Sequence, residues 1–164
     1  MKRLWAPWRA EYIHCIGNEK GKRRCLFCTL KNCQSDEENF ILYRGKWAFV
    51  VMNRFPYNNG HLMVAPFRHI ASFEFLSLAE GEELFQLLKK SIKVLKKEFK
   101  PEGMNIGANL GAVAGAGVKG HLHLHIVPRW QGDTNFMPLL GETKVVSEHL
   151  QTTYQRLIGH FRQR

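Results

Sequence analysis

The chain has 164 residues, 45% hydrophobic and 23% charged, a length and balance that suit one globular domain and exclude a disordered chain. It offers no run of about 18 apolar residues to span a bilayer, and its opening, MKRLWAPWRAEYIHC, lacks a secretory signal's apolar core and cleavage pattern. The expected address is therefore the cytoplasm, with no membrane partner, while a formal charge of +10 favours anionic partners such as nucleotides, or simply a solvated basic surface.

The first 38 residues are basic and interrupted, with NEKGKRR and QSDEEN as polar stretches around cysteines. They are expected to form an N-terminal arm with little regular structure on a single domain spanning residues 1–164. Cys15, Cys25, Cys28 and Cys33 all lie in this arm. In a reducing compartment such clustering points to metal or redox chemistry more than to disulfides. The CxxC spacing of Cys25 and Cys28 lets two thiolates meet one metal through a tight turn.

From Phe40 the pattern changes. FILYR, WAFVVMN and HLMVAP are short runs of β-branched, aromatic and large aliphatic residues, and the turn chemistry of RFPYNNG separates the last two, so two of these strands are expected to reverse on each other. Over residues 77–99, Leu84, Leu87, Leu88, Ile92, Leu95 and Phe99 recur at three- and four-residue steps, which predicts a helix capped by Ser77 and ended before Pro101. GMNIGANL reads as a strand, GAVAGAGVKG as a flexible glycine-rich loop, and HLHLHIVP as a further strand stopped by Pro128. A final helix is expected at about 145–161. The sum is one α+β domain with a mostly antiparallel sheet.

The chemistry concentrates in that last strand. If residues 121–126 are extended, His121, His123 and His125 share one face at steps of about 6.6 Å while Leu122, Leu124 and Ile126 face the core. Neutral imidazole serves as nucleophile, proton carrier and metal ligand. A glycine-rich loop beside it, Gly111 to Gly120, lets backbone amides approach an anion, although it is neither a P-loop nor a dinucleotide fingerprint. On a basic protein this combination points to phosphate ester or anhydride chemistry.

HLHLHIV resembles the signature of the histidine triad (HIT) family of nucleotidyl hydrolases and transferases. WAFVVMNRFPYNNGHLMVAPFRH is similar to that family's upstream hairpin, and PRWQGDTNF with LWAPWR resembles its bacterial diadenosine tetraphosphate phosphorylase-like branch. The resemblance implies a five-stranded antiparallel sheet with helices, dimerised edge to edge into a continuous sheet. It implies an enzyme acting on dinucleoside polyphosphates, adenine being the expected base, through a covalent nucleotidyl-histidine, with phosphate favoured over water as acceptor.

By position in the motif, His123 would be the nucleophile, with His125 and His61 orienting it. Asn53 would meet ribose hydroxyls and Asn109 the α-phosphate. Where the family often carries Ser or Thr before the triad, this chain has Gly117, Val118 and Lys119; Gly117 and Lys119 are kept as nucleotide-binding candidates, and the leaving-group contact stays open. Zinc-bearing relatives imply a structural zinc held by Cys25, Cys28, His69 and His121, with His14, Cys15 or Cys33 as competing ligands.

Other readings remain beside this one. Hydrolysis of nucleoside phosphoramidates is a sibling activity. Arg68 and Arg129 are further candidates for phosphate contact, or plain surface charges. A nucleic-acid-binding module would suit the charge, but no RNP motif, helix-turn-helix or paired-cysteine finger accompanies it, so nucleic acid is not the expected partner. A zinc-stabilised interaction protein with an inactive triad is the third class.

Overall fold

The structure, a computed structural model, describes residues 25–118, 120–133 and 148–162. Its strands are β1 (Ile41–Arg44), β2 (Ala48–Met52), β3 (Leu62–Pro66), β4 (Gly103–Gly107) and β5 (Leu124–Arg129), and its helices α1 (Leu26–Lys31), α2 (Leu78–Phe99) and α3 (Leu150–Arg162). The strands form one antiparallel sheet in the order β1-β2-β3-β5-β4. This is the expected α+β architecture. Among the described residues no helix is long and apolar enough to cross a membrane.

Both faces of the sheet are covered, which explains why β2 and β3 are buried at every position. Ala48, Val50, Met52, Leu62, Val64 and Ile126 pack against α2 and α3 on one face. Residues of opposite parity, Phe49, Val51, Met63 and Ala65, pack against Phe27 and Leu30 of α1 on the other. Strand alternation thus gives each face its own core. α2 begins with a capping box, Ser77 accepting from the Glu80 amide while Glu80 accepts from the Ser77 amide, and ends at Lys100 in the left-handed region just before Pro101. In α3, Tyr154, Leu157 and Phe161 are buried, and the Tyr154 hydroxyl donates to the Ile41 carbonyl at 3.2 Å.

Four expectations are corrected. Within residues 25–38 the chain is not without regular structure: Leu26, Phe27 and Leu30, at helical spacing, give α1 an apolar face that docks on the sheet. Residues 1–24, including Trp5, Trp8, His14 and Cys15, lie outside the described residues. Pro128 does not stop its strand. β5 pairs with β3 only as far as Ile126, so at Pro128 the pairing is with Met104 of β4 alone, where a missing N–H disrupts less of the ladder. The strand also begins later than the histidine alternation suggests, at Leu124, and α3 begins at Leu150, with 145–147 outside the described residues.

Two glycines fix the approach to the site. Gly60 has φ of +72°, and a Cβ there would come within 3.2 Å of Leu95 and 3.3 Å of Phe99, so the chain can turn tightly against α2 into His61 only without a side chain. Gly120 has φ of +76° and performs the same reversal immediately before His121.

Candidate functional site

His61, His123 and His125 come together at the junction of β3 and β5. Met63 is in register with His125, and Leu62 with Ile126, so His125 of β5 is met by His61 and His123, the residues that immediately precede β3 and β5. His61 and His123 are buried. The rings of His123 and His125 lie 4.7 Å apart between centroids, and those of His61 and His125 5.1 Å apart.

Hydrogen bonds define which nitrogens carry protons. The Tyr57 N–H donates to His61 Nδ1 at 3.0 Å, so a neutral His61 holds its proton on Nε2. That Nε2 lies 2.9 Å from His125 Nδ1 and donates to it, which leaves the His125 proton on Nε2. His123 Nδ1 donates to the His121 carbonyl at 2.8 Å, so the free lone pair of His123 is on Nε2. The cluster therefore combines one nitrogen lone pair with one N–H donor at the end of a relay. Burial holds the His123 imidazole below the ordinary histidine range despite its hydrogen bond to the His121 carbonyl. Burial, and secondarily the neighbouring His123, take His125 down to about 4. Both rings are thus neutral near pH 7.

His121 faces elsewhere. Its Nε2 donates to the Pro66 carbonyl at 2.9 Å, which turns the Nδ1 lone pair toward Cys25 Sγ at 3.2 Å, Cys28 Sγ at 3.6 Å and His69 Nδ1 at 3.3 Å. Cys28 Sγ is also 3.3 Å from His69 Nδ1. The four ligand atoms all lie within 4.8 Å of one another, an arrangement that can hold a metal ion. Burial and the adjacent Cys25 push the Cys28 thiol up, a cost that a bound cation would reverse by stabilising thiolate. Cys33 is outside the cluster and donates to the Thr29 carbonyl at 3.3 Å.

A cleft of about 220 Å³ opens over the histidines. Leu26, Phe27 and Leu30 of α1 and Val51 and Met63 of the sheet form an apolar wall, and Asn53, Tyr57, Gly117, Val118, His123 and His125 also line the cleft. Phe27 sits between the two halves of the site, its ring 5.1 Å from that of His121 and 4.8 Å from that of His123. Sequence reasoning did not find this wall. Its signal is the apolar spacing inside CLFCTL, which is visible only once the cysteine segment is read as a helix.

The remaining sequence candidates fall as follows. Asn53 lines the cleft, its Nδ2 3.4 Å from His61 Nδ1. Asn109 sits on the exposed loop and donates to the Gly115 carbonyl at 3.4 Å, bracing that loop. Lys119 lies outside the described residues. Arg68 and Arg129 are engaged by carboxylates, Glu80 at 2.7 Å and Asp133 at 2.6 Å.

Comparison with known proteins agrees with this architecture. The AP-4-A phosphorylase of Mycobacterium tuberculosis is 39% identical over 162 residues, 96% of this chain and 83% of that protein. Among solved structures, a hypothetical histidine triad nucleotide-binding protein from Sulfolobus tokodaii is 27% identical with a TM-score of 0.65, covering 84% of this chain and 89% of its own. A Zn-bound histidine triad family protein from Mycobacterium smegmatis shares the fold at 20% identity, with a TM-score of 0.68 and coverage of 87% and 96%. The HIT domain model matches residues 34–132, spanning β1 to the turn after β5, and the chain belongs to the HIT family.

Proposed function

We propose that this protein cleaves dinucleoside polyphosphates by transferring a nucleotidyl group through His123, with inorganic phosphate as the preferred acceptor. The observation that carries the reading is the His123 Nδ1 bond to the His121 carbonyl, which presents a neutral Nε2 lone pair in the cleft beside the Nε2–H of His125. In the first step Nε2 attacks the α-phosphorus as the bond to the bridging oxygen breaks. The nucleotide fragment beyond that oxygen leaves, and the nucleotidyl group remains on His123. In the second step a phosphate oxygen displaces the imidazole, which restores His123 and releases a nucleoside diphosphate. A neutral nucleophile avoids repulsion from the phosphoryl oxygens, so the protein's task is alignment and electrostatic support.

The surroundings suit such a substrate. The apolar wall formed by Leu26, Phe27 and Leu30 offers a surface for a purine, and Asn53 stands beside His61 where ribose hydroxyls would reach. Gly117 borders the cleft and Asn109 braces the same loop, which supports the proposed phosphate contact by that segment. The phosphate acceptor is supported by similarity to the M. tuberculosis AP-4-A phosphorylase.

The metal assigned to Cys25, Cys28, His69 and His121 is zinc. Tetrahedral zinc, with bonds of about 2.3 Å to sulfur and about 2.05 Å to nitrogen, requires S···N edges of about 3.6 Å and an N···N edge of about 3.3 Å. The Cys25–His121, Cys28–His69 and Cys28–His121 S···N distances are 3.2, 3.3 and 3.6 Å and the N···N distance is 3.3 Å, near those edges, with all four ligand atoms within 4.8 Å of one another and Pro66 fixing the His121 tautomer from behind. With four protein ligands the ion would have no open position, so its role is to hold α1 and the start of the catalytic segment, not to activate water.

The test is incubation with diadenosine tetraphosphate, with and without phosphate, and identification of the products by mass. ADP plus ATP is the expected result with phosphate, and AMP plus ATP would reassign the acceptor to water. His123→Ala is expected to fold with its metal and to lower turnover by roughly a thousandfold or more. Near-normal turnover in a well-folded His123→Ala would remove the nucleophile assignment.

A further inference from the structure

We propose that the turn Pro128–Asp133 is a positioning device for the histidine relay, acting through Asn58; the proposal rests on the roles given to His61 and His125 above. In the sequence, PRWQGD carries a branch resemblance and, in Arg129, a candidate for phosphate contact. Its geometry supplies a physical task.

Asp133 is a fixed acceptor. Its side chain is 9% exposed, and it accepts from Arg129 Nε and Nη2 at 2.6 Å each and from the Trp130 N–H at 3.1 Å. Arg129 is itself tied to the sheet, donating from Nη1 to Asn105 Oδ1 of β4 at 2.9 Å. The carboxylate therefore cannot swing without breaking a bidentate, charge-assisted pair. Asn58 reads this bracket with both amide hydrogens: Nδ2 donates to Asp133 Oδ2 at 2.7 Å and to the Pro128 carbonyl at 3.1 Å.

Asn58 stands inside the turn that sets the relay. Its carbonyl accepts from the His61 N–H at 3.2 Å, and its neighbour Tyr57 points its N–H at His61 Nδ1. Anchoring Asn58 to the end of β5 thus fixes the Tyr57 amide relative to a ring on β3's approach and another on β5. The consequence is chemical as well as mechanical. If the Tyr57 amide moves away, His61 can hold its proton on Nδ1 and accept at Nε2. His125 would then carry its proton on Nδ1 and turn a lone pair, not an N–H, toward the substrate's anionic oxygens. A loosened turn would convert the donor at the end of the relay into a repulsive acceptor.

The experiment compares wild type with Asn58→Ala by histidine ¹⁵N NMR and by steady-state kinetics on diadenosine tetraphosphate. Wild type should give the signature of Nε2-protonated His61 and His125. Asn58→Ala should shift those signals toward mixed tautomers and lower kcat by about 10–100-fold with KM within about twofold. A merely structural role for Asn58 would lower the melting temperature and leave the tautomers as they are. If Asn58→Ala does not fold, Asp133→Asn, which keeps the size and removes the charge that holds Arg129, is measured in the same way. Unchanged histidine signals, or kcat within twofold of wild type, overturn the proposal. Absence of turnover by the wild type would instead sink the functional reading, and the ¹⁵N comparison would still decide the positioning role because it needs no substrate.

Discussion

Each histidine of the triplet is distinguished by the partner of its other nitrogen. His121 gives Nε2 to Pro66 and turns Nδ1 to the cysteines, His123 gives Nδ1 to a carbonyl, and His125 accepts from His61 at Nδ1. Their burial has a thermodynamic consequence. A His125 that titrates at about 4 in the folded protein and near 6.5 when unfolded binds fewer protons in the folded state between those values. Its contribution to stability is complete above the unfolded value and is lost as pH falls from there toward about 4. Melting temperature should therefore fall more steeply with acidification in wild type than in His125→Gln, which keeps a polar side chain but cannot titrate. Equal slopes across that window would show that His125 is not buried in its neutral form. At this scale the identities of the site residues were legible because histidine, cysteine and glycine carry chemistry in their type. Tyr57 and Pro66 were not legible, since both act through backbone groups that any residue possesses.

At the scale of elements, the long helix could be read from Ser77 to Phe99 because its period, cap and terminating Pro101 all agree, and the structure places it at Leu78–Phe99. The short helix α1 could not. Six residues give less than two turns of periodicity, and CxxC drew attention to the thiols instead of the apolar residues between them. Yet α1 connects both halves of the site: Cys25 and Cys28 belong to the metal cluster, whereas Leu26, Phe27 and Leu30 wall the cleft. A helix this short does not persist by its own hydrogen bonds, so its docking depends on the sheet contacts and on the metal proposed for Cys25, Cys28, His69 and His121. Removal of the proposed zinc by chelator, or Cys28→Ser, is expected to lower the melting temperature by several degrees, to raise amide exchange across 26–31, and to weaken AMP binding measured by calorimetry. AMP affinity unchanged in metal-free protein would separate the two roles of α1 and refute the coupling.

For the whole molecule, antiparallel pairing was legible from strands joined by short reversals, whereas strand order was not. Nothing local in the sequence announces that β5 inserts between β3 and β4, because that choice is made by long-range burial of Ile126 and Leu62 on one face. Its result is that β4 is an outer strand. Gly103, Asn105, Ile106 and Gly107 are exposed, Ile106 at 46%, and among the described residues only β5 pairs with the strand, on one side. An edge left unpaired among the described residues, with a large apolar side chain, invites pairing with another chain, and this strand carries no Lys, Asp, Glu or Pro to discourage it. Edge-to-edge pairing of two copies through β4 is the form of homodimer that these features favour. Light scattering is then expected to give twice the 19.0 kDa of one chain, and Ile106→Lys, which sets a charge on that edge without touching the histidines, should shift the mass toward a single chain. A monomeric mass for wild type at every concentration would rule out the dimer; a dimer indifferent to Ile106→Lys would move the interface to another face.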